Sequence, residues 1–264
     1  MEWREMIKLA AFDVDGTLRD RDYLPESTKA AVARLKESGV TVVLCTGRSE
    51  YEMAGLRREL GIDWAVTCNG SHIGYRGKTA FGTAFPKETV ARWLQEAERA
   101  GHTLLLYSSD SMFTNREHCD YFRRAQQEIG FMEPVLLRSG DDVPDIYQCI
   151  VFGREDEQHA YVGAEPGAYY LHRWRDWAFD INPGGMNKAV GLYRLMEHLG
   201  ISSGEAAAFG DGLNDLEMLE SVGTGIAMGN AGDELKGKAR FVTKTLHEDG
   251  IAYAIDKWIL TSVG

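Results

Sequence analysis

The sequence predicts an α/β fold with a central parallel sheet, built from both ends of the chain and carrying an inserted α+β domain. Three observations predict it. At both ends, short apolar runs of strand length alternate with amphipathic runs of helix length, the pattern of βαβ units. Those apolar runs are continuous rather than alternating, as strands covered on both faces require. After Asn69-Gly70 the rhythm changes, with glycine- and aromatic-rich stretches at 71–85 and 163–185, and βαβ regularity resumes only at Asn187.

Residues 7–12 (IKLAAF) form the first expected strand, stopping at Asp13. A helix is expected over 26–38, with Ser27 or Thr28 as its cap, Ala31, Val32 and Leu35 on one face, and Gly39 at its end. The β-branched run 40–45 gives a second strand, 51–60 a second helix closed by Gly61, and 64–68 a third strand. Residues 71–85 suggest short antiparallel strands, and 87–100 a helix with Val90, Trp93, Leu94 and Ala97 on one face. Strands are expected at 104–107 and 146–152, and two more within 163–185 before a turn at Asn182-Pro183-Gly184-Gly185. The alternation resumes with a helix over 187–199, a strand over 206–209, a helix over 214–221 and a strand over 225–228. A strand at 241–243 and a helix at 250–260 close the chain. The domains expected are therefore 1–82 with 183–264 as the core, and 83–182 as the insertion, since loops of a rigid scaffold tolerate insertions.

The chain has 264 residues, with 29 Lys and Arg against 40 Asp and Glu, a net charge of −11. That balance argues against nucleic acid or an anionic membrane surface as partner. No stretch approaches the ~18 apolar residues of a membrane span, and no leader-like apolar segment precedes Asp13. Cys45, Cys68, Cys119 and Cys149 form no CxxC pair, and Cys45 and Cys68 read as small core residues. The expectation is a reduced, cytoplasmic protein.

Four segments carry chemistry. The first is Asp13-Val14-Asp15-Gly16-Thr17, two carboxylates directly after a strand, where open α/β sheets bind their ligands. An ordinary Asp-Gly turn is the competing reading. The second is Gly210-Asp211-Gly212-Leu213-Asn214-Asp215, again past a strand. Its hard oxygen donors suit Mg²⁺, and they lack the spacing of an EF-hand. A capped helix start is compatible with metal binding there. The third is Thr46-Gly47-Arg48, where a hydroxyl and free N–H groups at a strand-to-helix turn can cradle phosphate. The fourth is Lys188, a cation in the first turn of a helix, where the dipole disfavours it; by itself it reads as an exposed lysine.

Taken together, DVDGT (13–17), TGR (46–48), Lys188 and GDGLND (210–215) resemble the haloacid dehalogenase superfamily of phosphohydrolases. CNGS (68–71), GDGLNDLEML (210–219) and HEDGIAYAI (247–255) resemble its Cof-type branch, whose cap is inserted between the second and third motifs. The stretch from Leu18 to Thr46 is too short for a cap. The lysine motif departs from the usual pattern, reading NKAVGL where SKG is more common.

The resemblance implies a Rossmann-like core with an α+β cap, and a Mg²⁺-dependent phosphatase acting on a small phosphate ester such as a sugar phosphate. It implies Asp13 as the nucleophile that forms an aspartyl-phosphate, and Asp15 as the acid and base. It implies Mg²⁺ held by Asp13, the Asp15 carbonyl and Asp211, with Asp215 nearby directly or through water. Thr46, the Gly47 N–H, Asn214 and Lys188 would hold phosphate oxygens. A phosphomutase on the same core, and a non-catalytic protein that binds phosphorylated metabolites, are the alternatives.

Other residues carry less. The histidines show no zinc-hydrolase spacing, Ser71, Ser108 and Ser109 lack a GxSxG context, and 223–232 contains no dinucleotide fingerprint. The aromatic cluster 161–179 reads as cap core or cap surface. Arg116, His118, Arg123 and Arg124 are polar residues of the insertion, placed either to contact a substrate or, the reading preferred, as a solvated helix face. The acidic balance is reconciled locally: Mg²⁺ and Lys188 supply positive charge where phosphate sits, so ligand binding should collapse without the metal. Oligomeric state is not readable from the residues.

Overall fold

The structure, a computed structural model, describes residues 6–117, 119–138, 141–163 and 167–260. Elements β1 (Leu9–Phe12), α1 (Glu26–Glu37), β2 (Thr41–Cys45), α2 (Glu50–Leu60) and β3 (Trp64–Thr67) form the first alternation. The hairpin β4 (His72–Tyr75) and β5 (Lys78–Gly82) follows, then α3 (Lys87–Ala100), β6 (Thr103–Tyr107), β7 (Met112–Thr114) and α4 (Asp120–Ile129). Next come β8 (Val135–Leu136), β9 (Gln148–Phe152), α5 (His159–Val162), β10 (Tyr169–Arg175) and β11 (Ala178–Pro183). The alternation resumes with α6 (Lys188–Leu199), β12 (Ala206–Gly210), α7 (Leu216–Ser221), β13 (Thr224–Ala227), α8 (Asp233–Lys238), β14 (Phe241–Val242) and α9 (Gly250–Ala254).

The chain divides into two compact units. Unit one comprises Met1–Thr46, Gly55–Val66 and Lys188–Gly264; unit two comprises Gly47–Ala54 and Thr67–Asn187. The limits 83 and 182 drawn from the sequence lie inside unit two.

Unit one is the α/β core. Its strands lie in the order β14-β13-β12-β1-β2-β3, and the pairs along this order are parallel. Every residue of β1 and β12 is buried, which explains why both read as continuous apolar runs. Phe12 pairs in register with Leu44 on one side and Phe209 on the other. The residues that follow these, Asp13, Cys45 and Gly210, therefore stand level at that end of the sheet. Helix α1 starts at Glu26 with Pro25 as its cap residue and no side-chain cap. Ser27, expected to cap it, instead donates its hydroxyl to Asp249.

Unit two is α+β. One sheet has the order β10-β11-β9-β6-β7-β8, antiparallel apart from the β7–β8 pair. Trp93 of α3 is fully buried against it, and its indole N–H donates to the Tyr161 carbonyl at 2.7 Å. Of the aromatic cluster, Tyr161, Trp177 and Phe179 are buried core, while Tyr169, Tyr170 and Trp174 are half-buried at its edge. Arg123 and Arg124 lie on the exposed side of α4, paired with Glu133 and Glu128, and Arg116 caps the Gly101 carbonyl; His118 lies outside the described residues. Cys45, Cys68 and Cys149 are buried free thiols. No described helix is long and apolar enough to cross a membrane.

Candidate active site

The site is built at the ends of β1 and β12. Asp13 is the first residue past β1, and its N–H is held by the Phe209 carbonyl at 2.9 Å. Lys188 opens α6 and is 1% exposed, not the surface lysine that its place in the first turn suggests. Its ammonium donates to Asp13 Oδ1 at 2.7 Å and to Asp215 Oδ1 at 2.6 Å. The second oxygen of Asp215 accepts the N–H groups of Asp211 and Gly212, at 3.0 and 2.9 Å. Asp215 thus holds the lysine with one oxygen and folds its own loop with the other. Gly210 makes this possible, since a Cβ there would stand 2.5 Å from the Asp215 carboxyl carbon.

Asp211 enters from the other side of the same cluster. Its Oδ1 accepts the Thr17 hydroxyl at 2.7 Å, and its Oδ2 accepts the Asn230 amide at 3.4 Å. Gly16 sits at φ +86°, where a Cβ would collide with Asp211 Oδ2 at 2.2 Å. The glycine of the first motif is therefore required twice, by its conformation and by the close approach.

Three carboxylates, those of Asp13, Asp211 and Asp215, each offer an oxygen within 4.8 Å of the others. Lys188 balances only part of that charge. Burial, and then the like charge of Asp215, raise the Asp13 carboxyl well above the ordinary carboxylate range despite the lysine. Burial likewise pushes Asp211 up to about 6, against the Thr17 hydrogen bond. Burial alone would lower the Lys188 ammonium, but Asp13 and Asp215 outweigh it and hold it above its usual value. Burial also raises the neighbouring Cys45 thiol, which stays protonated. A pocket of hard oxygen donors with surplus negative charge fits a divalent cation of the Mg²⁺ type, which carries carboxylate and water ligands.

The remaining residues expected from the sequence are placed as follows. Asp15 is half-buried, its carboxylate 3.7 Å from the Arg19 guanidinium, and is not part of the three-carboxylate group. Thr46 is buried just past β2, its N–H held by the Val66 carbonyl. Gly47 falls in unit two, where Gln148 donates to its carbonyl at 3.1 Å. Asn214 lies in the short 3₁₀ turn Leu213–Asp215. Arg48 is buried, paired with Glu52 at 3.3 Å and donating to the Ile129 carbonyl at 2.6 Å. Neither the Thr17 nor the Asn230 contact with Asp211 is expected from the sequence. The signal for Asn230 was its place just past the end of β13, a strand of the same sheet.

The chain is similar to known proteins along nearly its whole length. The family model for haloacid dehalogenase-like hydrolases matches residues 10–255. YkrA of Bacillus subtilis (strain 168) is 36% identical over 253 residues, spanning 94% of this chain and 96% of its own. An HMP-PP phosphatase of Yersinia pestis (strain Pestoides F) is 30% identical over 266 residues, spanning 96% of both chains. Among solved structures, a hypothetical protein of Geobacillus kaustophilus HTA426 superposes with TM-score 0.86 at 38% identity, covering 95% of this chain and 98% of its own. The subclass IIB sugar phosphatase BT4131 superposes with TM-score 0.80 at 25% identity, covering 95% and 98%.

The chain belongs to the haloacid dehalogenase-like hydrolases. It is an enzyme of the phosphatase class, on an α/β core of the kind that family shares. Hydrolases of this family generally use Mg²⁺, and the acidic group Asp13, Asp211 and Asp215 is able to hold such an ion.

Proposed function

We propose that this chain is a Mg²⁺-dependent phosphomonoesterase that hydrolyses a small phosphorylated metabolite through an aspartyl-phosphate on Asp13. The observation that carries the reading is the Lys188 ammonium bonded to both Asp13 and Asp215, with Asp211 in the same group of carboxylates. The phosphatases among its relatives, one acting on HMP-PP and one on sugar phosphates, support the substrate class.

In this mechanism Asp13 attacks phosphorus, and the leaving oxygen takes a proton from Asp15. Asp15 then takes a proton from the water that attacks the aspartyl-phosphate, releasing inorganic phosphate and regenerating Asp13. Such proton transfer contributes about 10²–10⁴-fold. Lys188 holds Asp13 in place and lends positive charge to the transferring group. Thr46, the Gly47 N–H and Asn214 hold its oxygens. Asp13, the Asp15 carbonyl and Asp211 would hold Mg²⁺, with Asp215 orienting the loop or reaching the ion through water. When bound, the ion supplies the positive charge that lets a phosphate dianion enter a site with three carboxylates and one ammonium. Residues 1–82 and 183–264 would act as the catalytic core. Residues 83–182 would act as the cap that selects substrate and excludes bulk water.

The test is phosphate release from a broad panel of phosphorylated metabolites, with Mg²⁺ and with chelator. Turnover of one compound class that vanishes on chelation supports the reading. Binding without turnover across the panel, or recovery of an isomeric phosphate ester in place of inorganic phosphate, contradicts it.

A further inference from the structure

Asn230 lies in the loop after β13, outside the four motifs. Its side chain is at the surface and adds little to the core, yet both ends of its carboxamide are engaged. Nδ2 donates to the Gly16 carbonyl at 2.9 Å and to Asp211 Oδ2 at 3.4 Å, while Oδ1 accepts the Leu246 N–H at 3.2 Å. A primary amide has two N–H donors, so both donations are available at once. One side chain therefore ties together the loops that follow β1, β12, β13 and β14, four strands adjacent in the sheet.

The loop on the acceptor side is itself anchored. His247 stacks on Tyr23 with ring centroids 5.2 Å apart and lies 3.2 Å from the Asp20 carboxylate. Asp249 of the same loop accepts the Ser27 hydroxyl. On the donor side, Asp211 is gripped at both oxygens, by Thr17 at one and Asn230 at the other. A carboxylate oxygen carries two lone pairs, so a donor on each oxygen still leaves capacity for an ion and fixes the direction in which it is offered.

Building on the metal-site reading above, the geometry points to Asn230 as a positioning residue for the cation site. It sets the orientation in which Asp211 presents its oxygen, and it locks the Gly16 turn beside it. Its effect is on metal affinity rather than on the chemistry of phosphoryl transfer.

Asn230→Ala and Asn230→Leu both remove the donor, the second while keeping bulk. Calorimetric titration of the full chain with MgCl₂, without substrate, reads the metal Kd directly. Both variants should bind Mg²⁺ about tenfold more weakly, the low end of what loss of a ligand-orienting partner does to metal affinity. The rise in thermal midpoint on adding Mg²⁺ should shrink, while the metal-free midpoint stays near that of the parent. A Kd within about twofold of the parent in both variants overturns the proposal. So does a fall in midpoint that is equal with and without Mg²⁺, the mark of a merely structural side chain. Asp211→Asn separates this inference from the reading beneath it. If that change abolishes Mg²⁺ binding while the Asn230 variants bind normally, only the role of Asn230 fails. If Asp211→Asn also binds Mg²⁺ normally, the metal site itself is misread.

Discussion

The polar cluster at the strand ends of unit one and the polar cluster inside unit two are both buried, and they differ in how their charges balance. In unit one, three carboxylates face a single lysine, and burial pushes Asp13 and Asp211 up. In unit two, Asn69, Gln148 and Asn182 form a closed set of carboxamide hydrogen bonds between 3.0 and 3.4 Å, completed by Asp180. Asp180 itself accepts the Trp174 indole N–H at 2.8 Å as well as the Asn69 amide. Nearby, Arg48 and Glu52 form an ion pair, and the single carboxylate of the set, Asp180, is held by neutral N–H donors on both of its oxygens. A satisfied network holds a fold together; an unbalanced one is poised to take up an ion or a proton. Burial alone does not mark a site, but burial with surplus charge does.

Breaking the charged cluster should give the largest effects. Asp13→Asn removes the proposed nucleophile and should lower kcat on the order of 10⁴-fold or more, by analogy with other covalent catalysts, without loss of the folded state. Steady-state phosphate release and circular dichroism together read this; near-parental turnover would remove Asp13 from the mechanism. Lys188→Met leaves Asp13 and Asp215 buried without their cation. Breaking a buried pair costs about 3–5 kcal/mol, so denaturant unfolding of the metal-free protein should show a loss of that order, together with lost turnover.

The carboxamide cluster should respond in stability alone. Asn182 donates to the Cys68 carbonyl at 2.8 Å, to Ser71 and to Gln148. Asn182→Ala strips partners from buried groups and should cost about 1–3 kcal/mol with a far smaller change in kcat than Asp13→Asn. A large kcat loss at unchanged stability would erase the contrast between the two clusters.

The smallest effects are in pH, and they carry opposite signs. His72 is buried between the hydroxyls of Thr67 and Thr79, and desolvation lowers it to about 4. The unfolded chain therefore binds the extra proton first, and stability falls as pH drops from about 6.5 towards 4; His72→Gln should flatten that slope. Asp211, raised to about 6 in the metal-free protein, binds its proton first in the folded state. Its charged form disfavours the metal-free fold above about pH 6, and that penalty is relieved as pH falls towards the ordinary carboxylate value. Protons also compete with the ion there, so Mg²⁺ affinity should weaken below about pH 6. Unfolding curves and Mg²⁺ titrations across this range separate the two groups.

The parts of the molecule that are legible in sequence are those whose cause is local. The strands β1, β2 and β12 announce themselves as apolar runs that stop at Asp13, Thr46 and Gly210, and the motif loops lie where those runs stop. Strands β7 and β8, of three and two residues, are too short to show a period, and α5 and α8 are nearly as short. Helix α4 shows in sequence only as the exposed face that carries Arg123 and Arg124; in so polar a stretch its bounds are not legible, although its ten residues bury Phe122 and Ala125. The start of α1 at residue 26 is legible but its cap is not, because Ser27 serves a partner 222 positions away rather than its own helix. The same limit applies at the site. The residue types of DVDGT and GDGLND are readable, whereas the grip of Thr17 and Asn230 on Asp211 joins residues 194 and 19 positions apart. Only tertiary structure reveals such pairs.

The central claim is that Asp13 receives the phosphoryl group in a site completed by Mg²⁺. A crystal structure grown with Mg²⁺ and beryllium fluoride, which mimics an acyl phosphate, addresses it most directly. The account predicts beryllium bonded to an Asp13 carboxylate oxygen, with the cation held between Asp13 and Asp211. Beryllium fluoride bonded to another side chain, or a cation that does not touch Asp211, would contradict it.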